Sequence, residues 1–93
     1  MRVISNKALK LFSQRHGQAE RPLQEWRRTI EKNRFQSFAD LKRMFGSVDR
    51  VGEYYVFDIA GNRYRLIAAI HFNTQTLYIR EIFTHSEYGQ WRA

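Results

Sequence analysis

Cysteine is absent from the 93 residues, which excludes a disulfide framework and any thiolate-ligated metal site and suits a reducing compartment. No stretch approaches the roughly eighteen apolar residues that a helix needs to span a bilayer. The opening residues, Met1-Arg2-Val3-Ile4-Ser5-Asn6-Lys7, lack the apolar segment of a secretory signal. A cytoplasmic protein without a membrane partner is therefore expected. Repeats, low-complexity segments and linkers are also missing, and a second hydrophobic core would leave too few residues around each. The expectation is a single domain over residues 1–93. The three histidines, His16, His71 and His85, do not show metal-ligand spacing, and no group of acidic residues accompanies them. Neither a metal nor a cofactor is expected.

What the sequence has in excess is positive charge. Sixteen Lys and Arg against nine Asp and Glu give a net charge of +7, a field that attracts polyanions, of which nucleic acid is the commonest. Arginine outnumbers lysine by twelve to four, and its planar fork matches phosphate in a bidentate way. The same charge is also compatible with a role in solubility alone. With 43% apolar residues and fourteen aromatics, there is enough material for a packed core, and disorder is not expected.

The first half patterns as helix. After the β-prone pair Val3-Ile4, Ser5 offers a capping side chain to a segment Asn6–His16 in which Ala8, Leu9, Leu11 and Phe12 recur at helical spacing, with Gly17 as a stop. Pro22 is tolerated in the first turn of a second helix, where Leu23, Trp26, Arg27 and Ile30 form one stripe. The two segments predict a helical hairpin. A break over residues 33–37 leads into a short helix from Phe38 that ends at Gly46. After Gly52 the character changes: residues 53–59, 63–72 and 76–84 are rich in aromatic and β-branched residues. The joints Ala60-Gly61-Asn62 and Asn73-Thr74-Gln75 are turn formers. Three antiparallel strands follow, then at most one turn of helix. Helices need a sheet to bury their apolar stripes and the sheet needs a cover on one face, so an α+β fold with the helical hairpin packed on one side of a small antiparallel sheet is expected.

Alternation in the central strand separates Tyr64, Leu66, Ala68, Ile70 and Phe72 from Arg63, Arg65, Ile67, Ala69 and His71. The second set faces the open side. In the last strand Leu77, Ile79 and Phe83 alternate with Tyr78, Arg80, Ile82 and Thr84, so Arg80 is expected to share the open face with Arg65, while Glu81 falls with the core set without a partner. Arginines on adjacent strands can hold a phosphate and stabilise the charge of a pentacoordinate transition state; two or three arginines on a sheet also commonly form a solvated face. The segment Thr84-His85-Ser86-Glu87-Tyr88 adds a histidine and a tyrosine three apart, which one helical turn brings to the same side. Histidine is suited to proton transfer near neutrality and tyrosine can donate or orient a proton. RNA carries its own nucleophile in the 2′-hydroxyl, so a ribonuclease needs only a base, an acid and a phosphate clamp. His85 reads equally as a capping or partly buried structural histidine, and Tyr88 as a core aromatic with its hydroxyl at the rim. His71 is positioned to contact RNA, whereas His16 reads as a cation at a helix end, favoured by the dipole. Trp26, Phe12 and Phe45 read as core, and Trp91 as a tail residue that packs back or meets a partner.

Two runs carry a resemblance. Val56-Phe57-Asp58-Ile59-Ala60-Gly61-Asn62-Arg63-Tyr64-Arg65-Leu66-Ile67 and Tyr78-Ile79-Arg80-Glu81-Ile82-Phe83-Thr84-His85-Ser86-Glu87-Tyr88 resemble the HigB family of type II toxin–antitoxin toxins, with the upstream order of Trp26, Phe35, Asp40-Leu41-Lys42 and Phe45 similar in spacing. The resemblance covers nearly the whole chain. It implies a RelE-like fold and ribosome-dependent endonuclease cleavage of mRNA without metal. It also implies a cognate HigA-type antitoxin, a helix-turn-helix DNA-binding protein that forms an autorepressing complex on operator DNA. Catalytic roles would fall on Arg65, Arg80, His85 and Tyr88, with Asn62 and Arg63 at a substrate-facing turn. Two positions depart from the family pattern: Gly89 stands where an acidic residue usually follows the tyrosine, and Asp58 replaces a common Asn. The reading from another class is a non-catalytic module of the same fold that grips RNA or a protein target, as gyrase-poisoning RelE-like proteins do.

Overall fold

A computed structural model describes residues 1–92. Strand β1 (Arg2–Ile4) leads into helix α1 (Asn6–Arg15), a 3₁₀ turn (Gly17–Ala19), helix α2 (Glu20–Lys32) and helix α3 (Phe38–Met44). Strands β2 (Asp49–Val51), β3 (Tyr54–Ile59), β4 (Tyr64–His71) and β5 (Thr76–Thr84) follow, and the one-turn helix α4 (His85–Tyr88) closes the series. The five strands form one sheet in the order β1-β5-β4-β3-β2.

The helical stripes do what their spacing implies. Leu9 and Phe12 of α1, Leu23, Trp26 and Ile30 of α2, and Leu41 of α3 are buried together with Leu66, Ala68, Leu77 and Phe57 from one face of the sheet. Trp26 meets Phe57 edge to face at 5.3 Å, and Phe45 meets the same ring at 5.3 Å. The three-stranded meander expected from the sequence is the centre of this sheet, and two short strands extend it at the edges. β1 pairs with β5 in parallel, and β2 pairs with β3 antiparallel. A parallel neighbour requires a long crossover, which α1, α2 and α3 supply. Three residues are too few for alternation to register in a sequence, and Asp49-Arg50-Val51 has little β character.

Ser5 does not cap α1 through its side chain. Its backbone adopts the left-handed conformation, φ 88°, and its carbonyl accepts the Ala8 N–H at 3.1 Å. The sharp turn from strand to helix decides the conformation here, and the hydroxyl is turned away from the first helical amides. Ser37 does cap its helix, accepting from the Asp40 N–H at 3.4 Å.

The alternation expected for β5 holds only up to Ile79. The register with β4 pairs Glu81 with Ile67 and Ile79 with Ala68, which leaves Arg80 as an extra residue without a partner. This β-bulge reverses the facing of everything beyond it. Ile82 is buried in the core, while Glu81 and Phe83 move to the open face with Ile67 and Arg65, so the alternation that placed Phe83 inside and Ile82 outside is corrected. Magnitudes explain the choice. One lost ladder hydrogen bond costs about 1 kcal/mol, whereas continuing the alternation would bury the Glu81 carboxylate at several kcal/mol and forfeit about 1.5–3 kcal/mol from the burial of Ile82.

Candidate nucleic-acid interface and active site

The site residues gather where the β3–β4 turn meets the end of β5. Residues 60–63 close the hairpin: Ala60 and Gly61 both take left-handed backbone, φ 55° and φ 70°, and the Arg63 N–H donates to the Ala60 carbonyl at 3.4 Å. Tyr64 pairs with Thr84, so the residues just outside the ladder, Arg63 and His85, are neighbours. The His85 N–H donates to the Arg63 carbonyl at 2.9 Å. Helix α4 starts at this point because Thr84 and Glu87 form a capping box: the Thr84 hydroxyl accepts the Glu87 N–H at 3.3 Å, and the Glu87 carboxylate accepts the Thr84 N–H at 2.8 Å. That backbone hydrogen bond, reinforced by the Thr84 hydroxyl and by the positive charges of His16 and Arg15, holds the Glu87 carboxyl below its usual range.

Arg65 is the most restrained of the predicted residues. Its Nε donates to Asp58 Oδ1 at 3.0 Å, with the two side chains only 13% and 26% exposed, and its Nη1 donates to the Asn62 carbonyl at 2.7 Å. The guanidinium lies 5.4 Å from the centre of the Tyr88 ring, a cation–π distance. Tyr88 is stacked in turn on Trp91, 5.8 Å between centroids and 22° between planes, and Trp91 meets Tyr54 at 6.1 Å. Trp91 therefore packs back onto the face of the sheet opposite the helices, where Val56 and Ile67 are buried.

Next to this stack is an open cleft of about 580 Å³ lined by Asn62, Arg63, His85 and Ser86 on one side and by His16 and Gln18 on the other. Arg63 Nη1 bridges the two sides with a hydrogen bond of 2.9 Å to Gln18 Oε1. Of the seven residues singled out in the sequence, five meet at this end of the sheet: Asn62, Arg63, Arg65, His85 and Tyr88. The other two stand apart. His71 lies six residues along β4 from Arg65, roughly 20 Å at strand rise, with its ring 5.5 Å from Tyr78. Arg80 projects from the bulge, exposed, with its guanidinium 5.8 Å from that same Tyr78 ring. No hydrogen bond or ion pair joins Arg80 to the Arg65–Tyr88 group among the described residues.

His16 and Gln18 were not legible as cleft residues. His16 does sit at the C-terminal cap of α1, its N–H donating to the Phe12 carbonyl at 2.9 Å, but α1 also runs beside β5. Its ten residues span about 15 Å, close to the roughly 17 Å that β5 takes from Arg80 to His85, so the helix ends level with α4. Only the pairing of β1 with β5 fixes that alignment. Among the described residues there is no group of three or more His, Asp and Glu placed to hold a metal ion, and no helix is long and apolar enough to cross a membrane.

Comparison with known proteins bears on the same residues. Residues 19–91 match the sequence model of the HigB toxin family, the RelE-like toxic component of a toxin–antitoxin system. The chain is 37% identical over 96 residues to the "mRNA interferase toxin HigB" of Escherichia coli K12, covering 100% of this chain and 92% of that protein. An "mRNA interferase HigB" of Escherichia coli O157:H7 matches to the same extent. A second E. coli protein of that name, from strain CFT073, is 25% identical over 93 residues, covering 97% of this chain and 90% of its own. A mixed sheet backed by helices is the arrangement a RelE-like toxin has, and the turn, α4 and their basic neighbours fall inside the matched span: this chain belongs to the HigB family of RelE-like toxins.

Proposed function

We propose that the chain is the toxin of a type II toxin–antitoxin system and acts as an mRNA endoribonuclease at the end of the sheet formed by the β3–β4 turn and α4. The observation that carries this reading is the meeting of Arg63, Arg65, His85 and Tyr88 within one turn of helix and one turn of hairpin. In the reaction the 2′-oxygen of the RNA attacks phosphorus, the bond to the 5′-oxygen breaks, and a cyclic phosphate and a 5′-hydroxyl result. One group must take the 2′-proton and another must give a proton to the 5′-oxygen. His85 and Tyr88 are the chain's groups for that exchange, and Arg63 and Arg65 offset the charge that develops on the phosphoryl oxygens. Arg80 and His71, farther along the sheet, are assigned to neighbouring phosphates and bases of the RNA, with Asn62 at the turn. No step in this scheme calls on a metal ion. Cleavage is expected on translating ribosomes in the cytoplasm, with toxicity blocked by a HigA-type antitoxin that carries a helix-turn-helix and reaches operator DNA as a complex with the toxin.

One observation favours the second reading, a binding module without nuclease activity: the Asp58 carboxylate already neutralises Arg65, which weakens that arginine as a phosphate ligand. Mapping RNA 5′-ends after inducing the gene, with and without its neighbour, separates the two. New ends within translated messages, and growth arrest relieved by the neighbouring gene, are expected. Growth arrest with no new ends would establish the binder.

A further inference from the structure

We propose that His16 is a catalytic residue: it forms the second proton-transfer group of the cleft, facing His85 across the scissile phosphate. The inference rests on the ribonuclease reading above and revises it at one point: His16, which lines the cleft with His85 where Tyr88 does not, takes the second proton-transfer role.

In-line displacement at phosphorus puts the entering 2′-oxygen and the departing 5′-oxygen on opposite sides. The proton acceptor and the proton donor must therefore also stand on opposite sides, each within hydrogen-bond reach of its oxygen. The cleft supplies two such groups from separate elements: His85, which opens α4, and His16, which ends α1, both line it, and Arg63, tied to Gln18, links the hairpin turn to the segment after α1. Tyr88 is turned the other way, held between Arg65 and Trp91 on the open face of the sheet.

The His16 ring is held by the core rather than left loose. It packs against Phe12 at 4.5 Å and Tyr64 at 6.0 Å, and those two rings meet each other edge to face at 5.5 Å. The half-buried ring is thus oriented by two buried side chains, and neither of its nitrogens has a hydrogen-bond partner among the described residues. A helix-end histidine that served only the dipole has no need of such a seat. The charged and titratable groups around it are Arg15 on its own helix, Arg63 on the hairpin turn, Tyr64 on β4, and His85 and Glu87 on α4. Glu87 is the single acid in that set, and it is already committed to the α4 capping box.

The test uses purified full-length protein in a reconstituted translation reaction, with cleavage rates followed against pH for the unmodified chain, H16Q, H16F and H85Q. The unmodified chain should give a bell-shaped profile. H16Q and H16F should each lose roughly two to four orders of magnitude, with one limb of the bell gone, and H85Q should lose the other limb. H16F keeps an aromatic ring against Phe12 and Tyr64, so unchanged thermal unfolding in that variant separates proton transfer from packing. Wild-type rates in H16F, or a slower reaction with both limbs intact, would overturn the proposal. Imidazole NMR signals read the same site without turnover, with inorganic phosphate and a 2′-deoxy dinucleotide as probes. His16 and His85 should move together while His71 stays in place. Movement of His85 alone would overturn the role of His16 and spare the ribonuclease reading; movement of neither would sink both.

Discussion

The two ends of the sheet's open face hold similar residues under different constraint. At the α4 end, Arg65 is fixed by Asp58, by the Asn62 carbonyl and by the Tyr88 ring, and the helix carrying His85 and Tyr88 is capped at both partners of a capping box. At the far end and in the middle, His71 and Arg80 each lie against the Tyr78 ring, both are exposed, and neither side chain makes a hydrogen bond or ion pair among the described residues. Chemistry requires atoms held within a fraction of an ångström, whereas phosphate binding tolerates mobile side chains. A basic face is thus not uniform: restraint marks the part suited to catalysis, and free charge marks the part suited to holding a polyanion.

The largest effect separating the two ends is expected at His85. His85→Ala is expected to lower cleavage by roughly two to four orders of magnitude, while His71→Ala should change the rate less than about tenfold, in keeping with a single modest contact. Rates on translated mRNA check both, and equal losses at the two histidines would erase the distinction between the ends. Arg80→Ala should act mainly through binding, raising KM and flattening its salt dependence by about one phosphate contact.

Arg65→Ala comes next. It removes the cation that orients Tyr88 and leaves Asp58 without its partner, so kcat should fall by about a hundredfold and stability by about 1–2 kcal/mol, between the values for exposed and buried pairs. Asp58→Asn, which restores the residue common in the family, keeps a hydrogen-bond acceptor and removes the competing charge. Several-fold tighter RNA binding is expected in a titration of catalytically inactive protein. No change would show that Asp58 does not restrain the charge of Arg65.

A smaller effect concerns the α4 cap. Because the Glu87 carboxyl is held below its unfolded value of 4.5, its ionised form stabilises the capped helix at all pH values above that value, and the contribution is lost as pH falls through the lower folded one. The protection factors of the Glu87 and Tyr88 amides, with the intrinsic pH dependence of exchange divided out, should therefore be flat between about pH 6 and 8 and fall in acid below about pH 4.5. Thr84→Ala, which deletes one half of the box, should lower those protection factors at neutral pH as well, at a cost of about 1 kcal/mol.

The smallest expected effect is at Gly89. This glycine has helical backbone, φ −58°, and an added Cβ would sit 3.4 Å from the Ser86 carbonyl oxygen, an ordinary contact. Gly89→Ala should therefore stabilise the chain by about 0.4–1 kcal/mol. Gly89→Asp, which supplies the acid usual in the family, should alter cleavage only if that acid orients Tyr88 or His85; comparison of the Asp and Ala variants isolates the carboxylate.

Much of the fold could be read from the chain, because periodicity and turn chemistry are local. The stripe Leu23, Trp26, Ile30 and the alternation Tyr64, Leu66, Ala68 each state which face is buried, and Ala60-Gly61-Asn62 states where the hairpin turns. The motif runs around Arg65, His85 and Tyr88 were legible for the same reason, as was the helical turn at 85–88; that Arg63 and His85 are neighbours follows only from the pairing of Tyr64 with Thr84. The features that fix the sheet's edges and the cleft were not legible. The bulge at Arg80 depends on what lies on each side of the sheet, since either facing of residues 81–83 satisfies a strand pattern. Val3-Ile4 signals a strand but not its neighbour, and its parallel pairing with β5 exists only because the helical crossover returns the chain to that edge. His16 enters the cleft through that pairing, which sets the end of α1 level with the start of α4. Local sequence thus determined the helices, the three central strands, most of their buried faces and the residue types of the site; tertiary structure decided the edge strands, the facing beyond the bulge and which elements became neighbours, because contacts between residues distant in sequence are selected by the burial of a whole sheet face and not by any pattern within one segment.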